Sequence, residues 1–237
     1  MQAVIFDMNG VIINDERDHQ QSWRELSSRH PDTMRLPTEE EFVASVFGRT
    51  EKSTLQFLLG RDISDDELGH YSDERVRIVQ GLFSQHKALS PGLDELLINL
   101  KHARIPMGVA TSSRPNYVNF VMQGFTVDNA PLRDMFDVVV TAKDITRGKP
   151  DPEIFLKAAA DLGVPPSSCL VFEDSLSGIT AAHAAEMAAV GIATTHQSTE
   201  LTSADFVIST FNDIGIPDII RITAEGPIAS TRGLERR

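Results

Sequence analysis

Six short apolar runs, each rich in β-branched residues, constrain the fold of this chain more than any other feature of its sequence. A run that is apolar at nearly every position is typical of a strand in a parallel sheet covered on both faces. Helical patterns separate the runs, so the sequence predicts an α/β fold with a doubly wound parallel sheet. The predicted strands are AVIFD (3–7), IPMGVATS (105–112), FDVVVTA (136–142), SCLVFED (168–174), AAVGIAT (188–194) and ADFVIS (204–209).

A long interval without a strand pattern follows the first predicted strand. Residues 15–86 contain only helical segments, which indicates an α-helical domain inserted into the sheet domain. We therefore predict a core domain over residues 1–14 and 87–224 and a helical domain over residues 15–86. The polar, basic residues 225–237 show no periodicity, and we expect them to form a flexible tail.

Composition and charge exclude several classes of protein. Hydrophobic residues make up 41% of the 237 residues and charged residues 24%, which is typical of a globular protein with a buried core. The net charge of −12 opposes nonspecific binding to nucleic acid or anionic lipid, and no apolar stretch is long enough to predict a membrane span. The single cysteine, Cys169, excludes an internal disulfide and is expected to be inert core. We expect a cytoplasmic monomer or weak dimer, without a secretory signal and without nucleic-acid or membrane partners.

Polar residues follow four of the predicted strands, at the carboxyl ends where open parallel sheets bind their ligands. Because these ends meet at one edge of a sheet, we expect three carboxylates, one lysine and one hydroxyl to converge there. Mg²⁺ prefers oxygen ligands, a lysine ammonium attracts phosphate, and an aspartate nucleophile can form an acyl phosphate. The converging residues are Asp7, Thr111, Lys149, Glu173 and Asp174.

Each of these residues also has an ordinary structural interpretation. Asp7 could be a turn residue, Glu173 and Asp174 could cap the next helix, and Lys149 could be a solvated loop lysine. Their joint occurrence at successive strand ends favours a phosphoryl-transfer site. The sequence motifs of P-loop nucleotide enzymes, dinucleotide-binding proteins and HExxH zinc proteases do not occur in the chain.

Four segments resemble the motifs of the haloacid dehalogenase (HAD) superfamily, and within it the β-phosphoglucomutase-like branch of sugar-phosphate phosphatases and mutases. FDMNGVI (6–12) is similar to the first motif of the family and VATSS (109–113) to the second. RGKPDPEIFLKAAADLGV (147–164) and VFEDSLSGI (171–179) are similar to the third and fourth. The resemblance covers almost the whole chain and implies a Rossmann-like HAD core with an inserted α-helical cap domain.

The resemblance implies a nucleophile and a magnesium site. Asp7 would be the nucleophile that takes the phosphoryl group. Asp7 and Asp174 would hold Mg²⁺, with Glu173 supporting or coordinating the ion. The main-chain carbonyl of Asn9 would occupy another metal position.

The resemblance also implies the residues that hold the substrate. Thr111 and Lys149 would bind the phosphoryl oxygens, and Lys149 with Mg²⁺ would neutralise the charge that builds on them. Gly10 would let the loop approach the phosphate closely. Ser112 and Ser113 of the second motif, together with His19 and Arg49 of the predicted cap, are further candidates for contact with the substrate.

Position 9 departs from the family pattern. Most phosphatases and mutases of the family have a second aspartate there, which protonates the leaving alkoxide and later deprotonates the attacking water. The amide of Asn9 can do neither, and general acid–base catalysis typically contributes about 10²–10⁴-fold to a rate. The candidate substitute proton carriers, which are also ordinary residues for the start of a solvated helix, are Asp15, Glu16, Asp18 and the family's cap-entry histidine, His19.

A second departure lies in the predicted cap. Arg49 follows Gly48, and Glu51 stands where the mutases carry an arginine that binds the second phosphate of a bisphosphate. Arg49 could supply that cation from a shifted position, or it could be a surface charge. The departure favours a phosphatase over a mutase.

Three functions remain open from the sequence. The first is a Mg²⁺-dependent phosphatase that acts on a small phosphorylated metabolite, such as a sugar phosphate, through an aspartyl phosphate. The second is a sugar-phosphate mutase of the β-phosphoglucomutase type. The third is a protein that binds Mg²⁺ and phosphorylated metabolites and has lost turnover through Asn9. Gly10 and the third and fourth motifs disfavour dehalogenation.

Overall fold

The structure is a computed structural model that describes residues 2–38, 41 and 51–227. The chain divides into two compact units, one of Met1–Asn14 with Ala88–Arg237 and the other of Asp15–Lys87. Residues 228–237, which are most of the predicted tail, lie outside the described part of the chain. In the described part, no helix combines the length and the apolar composition that are needed to cross a lipid bilayer.

A six-stranded parallel sheet forms the centre of the first unit and confirms the predicted α/β fold. The strand order is β5-β2-β1-β6-β7-β8, so the first strand of the chain lies inside the sheet between β2 and β6. Every residue of β1, β2, β6 and β7 is buried, as the continuous apolar runs predict. The strands are β1 (Ala3–Phe6), β2 (Met107–Ala110), β5 (Val138–Val140), β6 (Cys169–Glu173), β7 (Ala188–Ile192) and β8 (Phe206–Ile208).

Helices connect the strands and pack against the sheet. In the first of them, four leucines at helical spacing are buried, which places one apolar face on the core. The helix that follows the third-motif loop ends at Gly163, whose φ of 68° gives the left-handed C-cap that favours glycine. The helices of this unit are α4 (Leu93–His102), α5 (Pro115–Gly124), α6 (Glu153–Leu162), α7 (Leu176–Ala184) and α8 (Ile216–Glu225).

A small hairpin between α5 and β5 is absent from the sequence prediction. Its strands, β3 (Thr126–Val127) and β4 (Ala130–Pro131), have two residues each, which is too short to produce a periodic pattern. Asp128 and Asn129 form the turn with φ values of 50° and 61°, the left-handed conformation that two-residue hairpin turns require.

Aromatic packing stiffens the part of the sheet that carries the strand ends. The ring of Phe6 stacks on Phe172 with a centroid distance of 5.1 Å, and Phe211 meets Phe172 edge-on at 5.1 Å. Cys169 is completely buried, and this burial raises the pKa of its thiol to about 11. Cys169 is therefore inert core, as predicted.

The second unit consists of helices in its described residues, which are α1 (Glu16–Arg29), α2 (Glu51–Leu59) and α3 (Asp65–Phe83). Trp23, Leu26, Leu55 and Leu58 belong to one buried apolar cluster of this unit. The helix α3 begins with a capping box, in which Ser64 and Glu67 exchange side-chain and main-chain hydrogen bonds.

Candidate active site

The register of the sheet brings the ends of the strands to one edge. Phe6 pairs with Val109 on one side and with Phe172 on the other, so the residues that follow them emerge side by side. The main-chain N–H of Asp7 continues the ladder by donating to Phe172 O at 3.0 Å. The carboxyl end of β1 is therefore the geometric centre of the candidate site.

Lys149 joins two of the predicted acidic residues. Its Nζ donates to Asp7 Oδ1 at 2.5 Å and also to Glu173 Oε1. The Lys149 side chain is 8% exposed, and its Nζ lies 4.9 Å from the centroid of the Phe155 ring. Residues from the first, third and fourth motifs thus meet in one buried ion cluster.

The loop that delivers Lys149 is held by the first residue of α6. The carboxylate of Glu153 accepts hydrogen bonds from the main-chain N–H groups of Thr146 and Arg147, at 2.9 and 2.8 Å. These hydrogen bonds lower the pKa of Glu153 to about 2, so the carboxylate remains ionised at neutral pH. The resemblance to the third motif did not predict that Glu153 holds this loop.

The cluster contains three carboxyl groups and one ammonium group. Burial raises the pKa of Asp7 to about 7, against the opposing effect of the Lys149 charge. Burial raises the pKa of Asp174 well above its usual range, and the charges of Glu173 and Asp7 raise it further. Burial lowers the pKa of Lys149, but the two contacting carboxylates outweigh this effect and raise it above its usual range. When all three carboxyl groups are ionised, they carry more negative charge than the one ammonium balances, and a divalent cation would offset the excess.

Both carboxylate oxygens of Glu173 accept hydrogen bonds from groups of the protein. Oε1 accepts from Lys149, while Oε2 accepts from the main-chain N–H groups of Asp174 and Ser175 at 3.1 and 3.0 Å and from Ser175 Oγ at 2.9 Å. A Cβ at Gly178 would lie 1.9 Å from this carboxylate, so glycine is required for the close approach of α7. Of the two roles left open for Glu173, this geometry favours support of the site over coordination of a metal.

Gly10 gives the first-motif loop its close approach to Asp174. Its φ is +72°, and a Cβ at this position would lie 2.0 Å from Asp174 Oδ2. The loop and the Asp174 carboxylate are therefore packed with no room for a larger residue at position 10. Among the described residues, no three His, Cys, Asp or Glu side chains are arranged as a complete metal cage. The oxygen-rich surroundings fit a hard cation held by two carboxylates, with its other positions left for carbonyl, water or phosphate oxygens.

The other side of the site is neutral. Ser113 Oγ donates to Asn9 Oδ1 at 2.6 Å, and Thr111 Oγ1 lies 3.5 Å from the same oxygen. The main-chain N–H of Ser113 donates in turn to Thr111 Oγ1 at 3.1 Å. The first two motifs therefore meet through an amide and two hydroxyls, whereas Ser112 is exposed.

Two threonines of the site were missed by the sequence analysis. Thr194 Oγ1 donates to Gly10 O at 2.5 Å, and Thr195 Oγ1 donates to Asp174 Oδ2. Both residues lie in the segment that follows β7. The strand-end rule that selected the other residues would have found them if it had been applied to the fifth predicted strand.

The candidate proton carriers belong to the helical unit, and the structure gives them contacts there. Arg75 Nη1 donates to His19 Nδ1 at 3.2 Å, which leaves the Nε2–H of His19 to donate to Asp15 Oδ2 at 3.1 Å. Asp18 contacts His86 at 2.9 Å, and Glu16 accepts from Gln20 at 3.1 Å. The contacts of His19 with Arg75 and of Asp18 with His86 join residues far apart in the sequence, which helical spacing does not predict.

Arg75, whose side chain is 13% exposed, is the cation that contacts His19. It also pairs with Glu51 at 3.0 Å, and its guanidinium lies 4.4 Å from the centroid of the Trp23 ring. Nothing in the sequence distinguishes Arg75 from the other charged residues of α3. The cation that the sequence predicts for this unit, Arg49, lies outside the described residues.

Known proteins resemble this chain along nearly its whole length. A family model described as haloacid dehalogenase-like hydrolase matches residues 1–186. The validoxylamine A 7'-phosphate phosphatase of Streptomyces hygroscopicus subsp. limoneus is 32% identical over 222 residues, which is 92% of this chain and 98% of the relative. The β-phosphoglucomutase of Bacillus subtilis (strain 168) is 29% identical over 222 residues, covering 90% of this chain and 92% of the relative.

A solved structure has the same fold. The crystal structure of a HAD hydrolase of family IA, variant 3, from Entamoeba histolytica superposes with a TM-score of 0.85 at 33% identity. The match covers 94% of this chain and 100% of the other. The resemblance that the four motifs predict is confirmed, and this chain belongs to the haloacid dehalogenase-like hydrolase family.

Proposed function

We propose that this protein is a Mg²⁺-dependent phosphatase that acts on a small phosphorylated metabolite through an aspartyl phosphate on Asp7. The observation that carries the proposal is the buried Asp7 carboxylate at the end of a central strand, bonded to Lys149 and placed among the carboxylates of Glu173 and Asp174. A carboxylate in this position is prepared to act as a nucleophile toward a phosphoryl group whose charge is balanced by a cation.

The proposed reaction has two displacements at phosphorus. In the first, an oxygen of Asp7 forms a bond to phosphorus, the ester P–O bond breaks, and the leaving oxygen takes a proton from water to give the alcohol. In the second, water attacks the phosphorus of the aspartyl phosphate, the bond to Asp7 breaks, and inorganic phosphate leaves. Lys149 and the hydroxyl of Thr111 would contact the phosphoryl oxygens during both steps.

The proposed metal positions are those that the family resemblance implies, and the buried carboxyl groups of Asp7 and Asp174 support them. Asp7, Asp174 and the main-chain carbonyl of Asn9 would hold Mg²⁺, which would supply positive charge opposite the phosphoryl oxygens when bound. Glu173 would fix Lys149 and the start of α7 instead of coordinating the ion, because both of its oxygens accept other hydrogen bonds. Ser112, Ser113, His19 and Arg49 remain predicted substrate contacts.

The substrate class is inferred from the relatives and from Asn9. The names of the two relatives each specify a phosphorylated small molecule, one acted on by a phosphatase and the other by a mutase. Sugar phosphates are therefore the first class to test. Because Asn9 cannot donate a proton to the leaving oxygen, esters of acidic alcohols should react faster than alkyl esters.

A panel of phosphorylated metabolites, with p-nitrophenyl phosphate as the reference ester, tests the proposal. We expect phosphate release that requires Mg²⁺, with sugar phosphates turned over more slowly than the reference ester. The Asn9→Asp variant should be assayed in parallel, since it restores the acid found in most of the family. No release from either protein in the presence of Mg²⁺ would contradict the proposed function.

A mutase is the second candidate, since a relative named β-phosphoglucomutase matches over 92% of its own length. The mutase reaction requires exchange between β-glucose 1-phosphate and β-glucose 6-phosphate when a bisphosphate primer is present. Isomer exchange that exceeds phosphate release would favour the mutase. Phosphate release without exchange would favour the phosphatase.

We also propose that the protein works in the cytoplasm as a monomer or weak dimer, with neither nucleic acid nor a membrane as a partner. Its net charge of −12 supports the absence of nucleic-acid and membrane partners, because it repels polyanions and anionic lipid surfaces. A molar mass measured by light scattering and a salt-dependent DNA-binding assay would test the oligomeric state and the absence of nucleic-acid binding.

A further inference from the structure

Two consecutive threonines reach the site from a strand that none of the four motifs includes. Thr194 and Thr195 follow β7, the neighbour of β6 in the sheet. Thr195 Oγ1 donates to Asp174 Oδ2, and Thr194 Oγ1 donates to Gly10 O at 2.5 Å. One short segment therefore contacts both the first-motif loop and the fourth-motif carboxylate.

We propose that Thr195 is a positioning residue that holds the Asp174 carboxylate in the orientation that binds Mg²⁺, with Thr194 fixing Gly10 beside it. The inference deepens the proposed function and rests on it. Neither threonine would touch the substrate or the reacting atoms. Their effect would pass through Asp174 and through the loop that contains Gly10.

The hydrogen bond from Thr195 opposes the electrostatic repulsion that acts on the Asp174 carboxylate. Asp174 is 8% exposed and lies among Asp7 and Glu173, whose like charges oppose its ionised form. A donor on Oδ2 stabilises the carboxylate and occupies one oxygen, which leaves the other oxygen for a cation. Without that donor, the carboxylate would be free to rotate within the cluster or to take a proton.

Gly10 shows how closely the three groups are packed. A Cβ at position 10 would lie 2.0 Å from Asp174 Oδ2 and 3.0 Å from Thr195 Oγ1. The left-handed φ of Gly10 is held by the bond that its carbonyl accepts from Thr194. The loop therefore closes one side of the Asp174 carboxylate while Thr195 binds its oxygen, so the carboxylate has one favoured orientation.

Threonine suits this position because its β-branched side chain has few χ1 rotamers and presents the hydroxyl in a fixed direction. Valine has nearly the same shape but no hydroxyl, so Thr195→Val removes the hydrogen bond with little change in packing. Thr195→Ser keeps the hydroxyl and should rescue the effect. Thr223→Val is the matched control, since Thr223 is a buried threonine of α8 whose hydroxyl donates to Ile219 O at 2.6 Å.

The experiment measures the Mg²⁺ dissociation constant of each full-length protein by titration calorimetry in the absence of substrate. We expect Thr195→Val to raise this constant about 10- to 100-fold, the range that is usual for loss of a group that orients a metal ligand. Thr195→Ser should remain within about threefold of the unsubstituted protein, and Thr223→Val should not change it. The Mg²⁺ concentration for half-maximal turnover of p-nitrophenyl phosphate should shift with the dissociation constant.

The outcomes separate this inference from the proposed function. If the unsubstituted protein binds Mg²⁺ and folded Thr195→Val binds it equally well, the inference is wrong and the proposed function stands. If the unsubstituted protein binds no Mg²⁺, the metal-dependent function fails and the inference fails with it. Should Thr195→Val not fold, Thr194→Val decides the matter: a rise of about 3- to 10-fold in the dissociation constant supports the inference, and no rise overturns it.

Discussion

The two sides of the candidate site differ in charge and in how firmly their groups are held. On one side, Asp7, Lys149, Glu173 and Asp174 form a buried ion cluster in which each carboxylate accepts at least one side-chain hydrogen bond. On the other side, Asn9 meets Thr111 and Ser113 through neutral groups. The charged side fits the proposed phosphoryl group and metal, whereas Asn9, Thr111 and Ser113 have no group that titrates near neutral pH.

This difference separates two requirements of phosphoryl transfer that most members of the family satisfy together. Electrostatic stabilisation of the transferred group depends on the charged side and does not require Asn9 to change its protonation state. Proton transfer to the leaving group depends on the residue at position 9, and an amide cannot perform it. We therefore expect substitutions on the two sides to affect different properties of the enzyme.

The largest expected effect comes from the nucleophile. Asp7→Asn should lower turnover of p-nitrophenyl phosphate by on the order of 10⁴-fold or more, because the first P–O bond to the protein cannot form. Intact-protein mass spectrometry should find no phosphoryl adduct on the variant. Asp161→Asn, which changes an exposed carboxylate paired with Lys157, is the control and should retain full activity. Substantial activity in Asp7→Asn would mean that another residue is the nucleophile.

The next largest effect concerns the neutral side. Asn9→Asp should raise the turnover of alkyl phosphates by about 10²–10⁴-fold, since the variant can protonate the leaving oxygen. The increase should be smaller for p-nitrophenyl phosphate, whose leaving group needs little protonation. A plot of log kcat/KM against leaving-group pKa should therefore be steeper for the unsubstituted protein than for the variant.

Asn99→Asp is the control for this prediction, because it adds the same charge at an exposed position of α4. It should leave both rates and the slope of the plot unchanged. Equal slopes for the unsubstituted protein and for Asn9→Asp would show that another group supplies the proton. His19 would then be the first residue to substitute.

Much of the charged side could be predicted from the sequence, and the reason is the topology of parallel sheets. Continuous apolar runs locate the strands, and the polar residue after each run must lie at the same edge. Asp7 and Glu173 follow this rule directly. Lys149 does not follow a strand immediately, but it lies in the loop after the third predicted strand, and the same rule predicted it at this edge.

Contacts between side chains of distant segments could not be predicted in the same way. The bond from Thr195 to Asp174 depends on how the segment after β7 turns back toward β6, which no periodic pattern encodes. The sequence also left open whether Glu173 coordinates the metal or supports the residues around it. The answer depends on the hydrogen bonds that Glu173 accepts from main-chain N–H groups. Contact between His19 and Arg75 joins residues 56 positions apart on separate helices.

An intermediate effect is expected from the cation of the charged side. Lys149→Met removes the ammonium that neutralises the phosphoryl oxygens, and turnover should fall by about 10²–10³-fold. The variant also leaves Asp7 and Glu173 without their shared partner, so its unfolding free energy at neutral pH should fall by roughly 3–5 kcal/mol. Chemical denaturation and p-nitrophenyl phosphate turnover measure the two effects, with the exposed Lys157→Met as control. A variant that is less stable but fully active would show that catalysis does not require Lys149.

The smallest effect should come from Ser113, which acts through Asn9. Ser113→Ala removes the hydroxyl that donates to Asn9 Oδ1 at 2.6 Å, and kcat/KM should fall about 3- to 10-fold, as for the loss of one hydrogen bond. Ser112→Ala, at the exposed neighbouring position, should have no such effect unless Ser112 contacts the substrate as predicted. In an Asn9→Ala background, Ser113→Ala should cause no further loss, because the amide that Ser113 orients is already gone. An additive loss in the double variant would instead indicate that Ser113 contacts the substrate directly, and the neutral side would then bind phosphate as well as hold the amide.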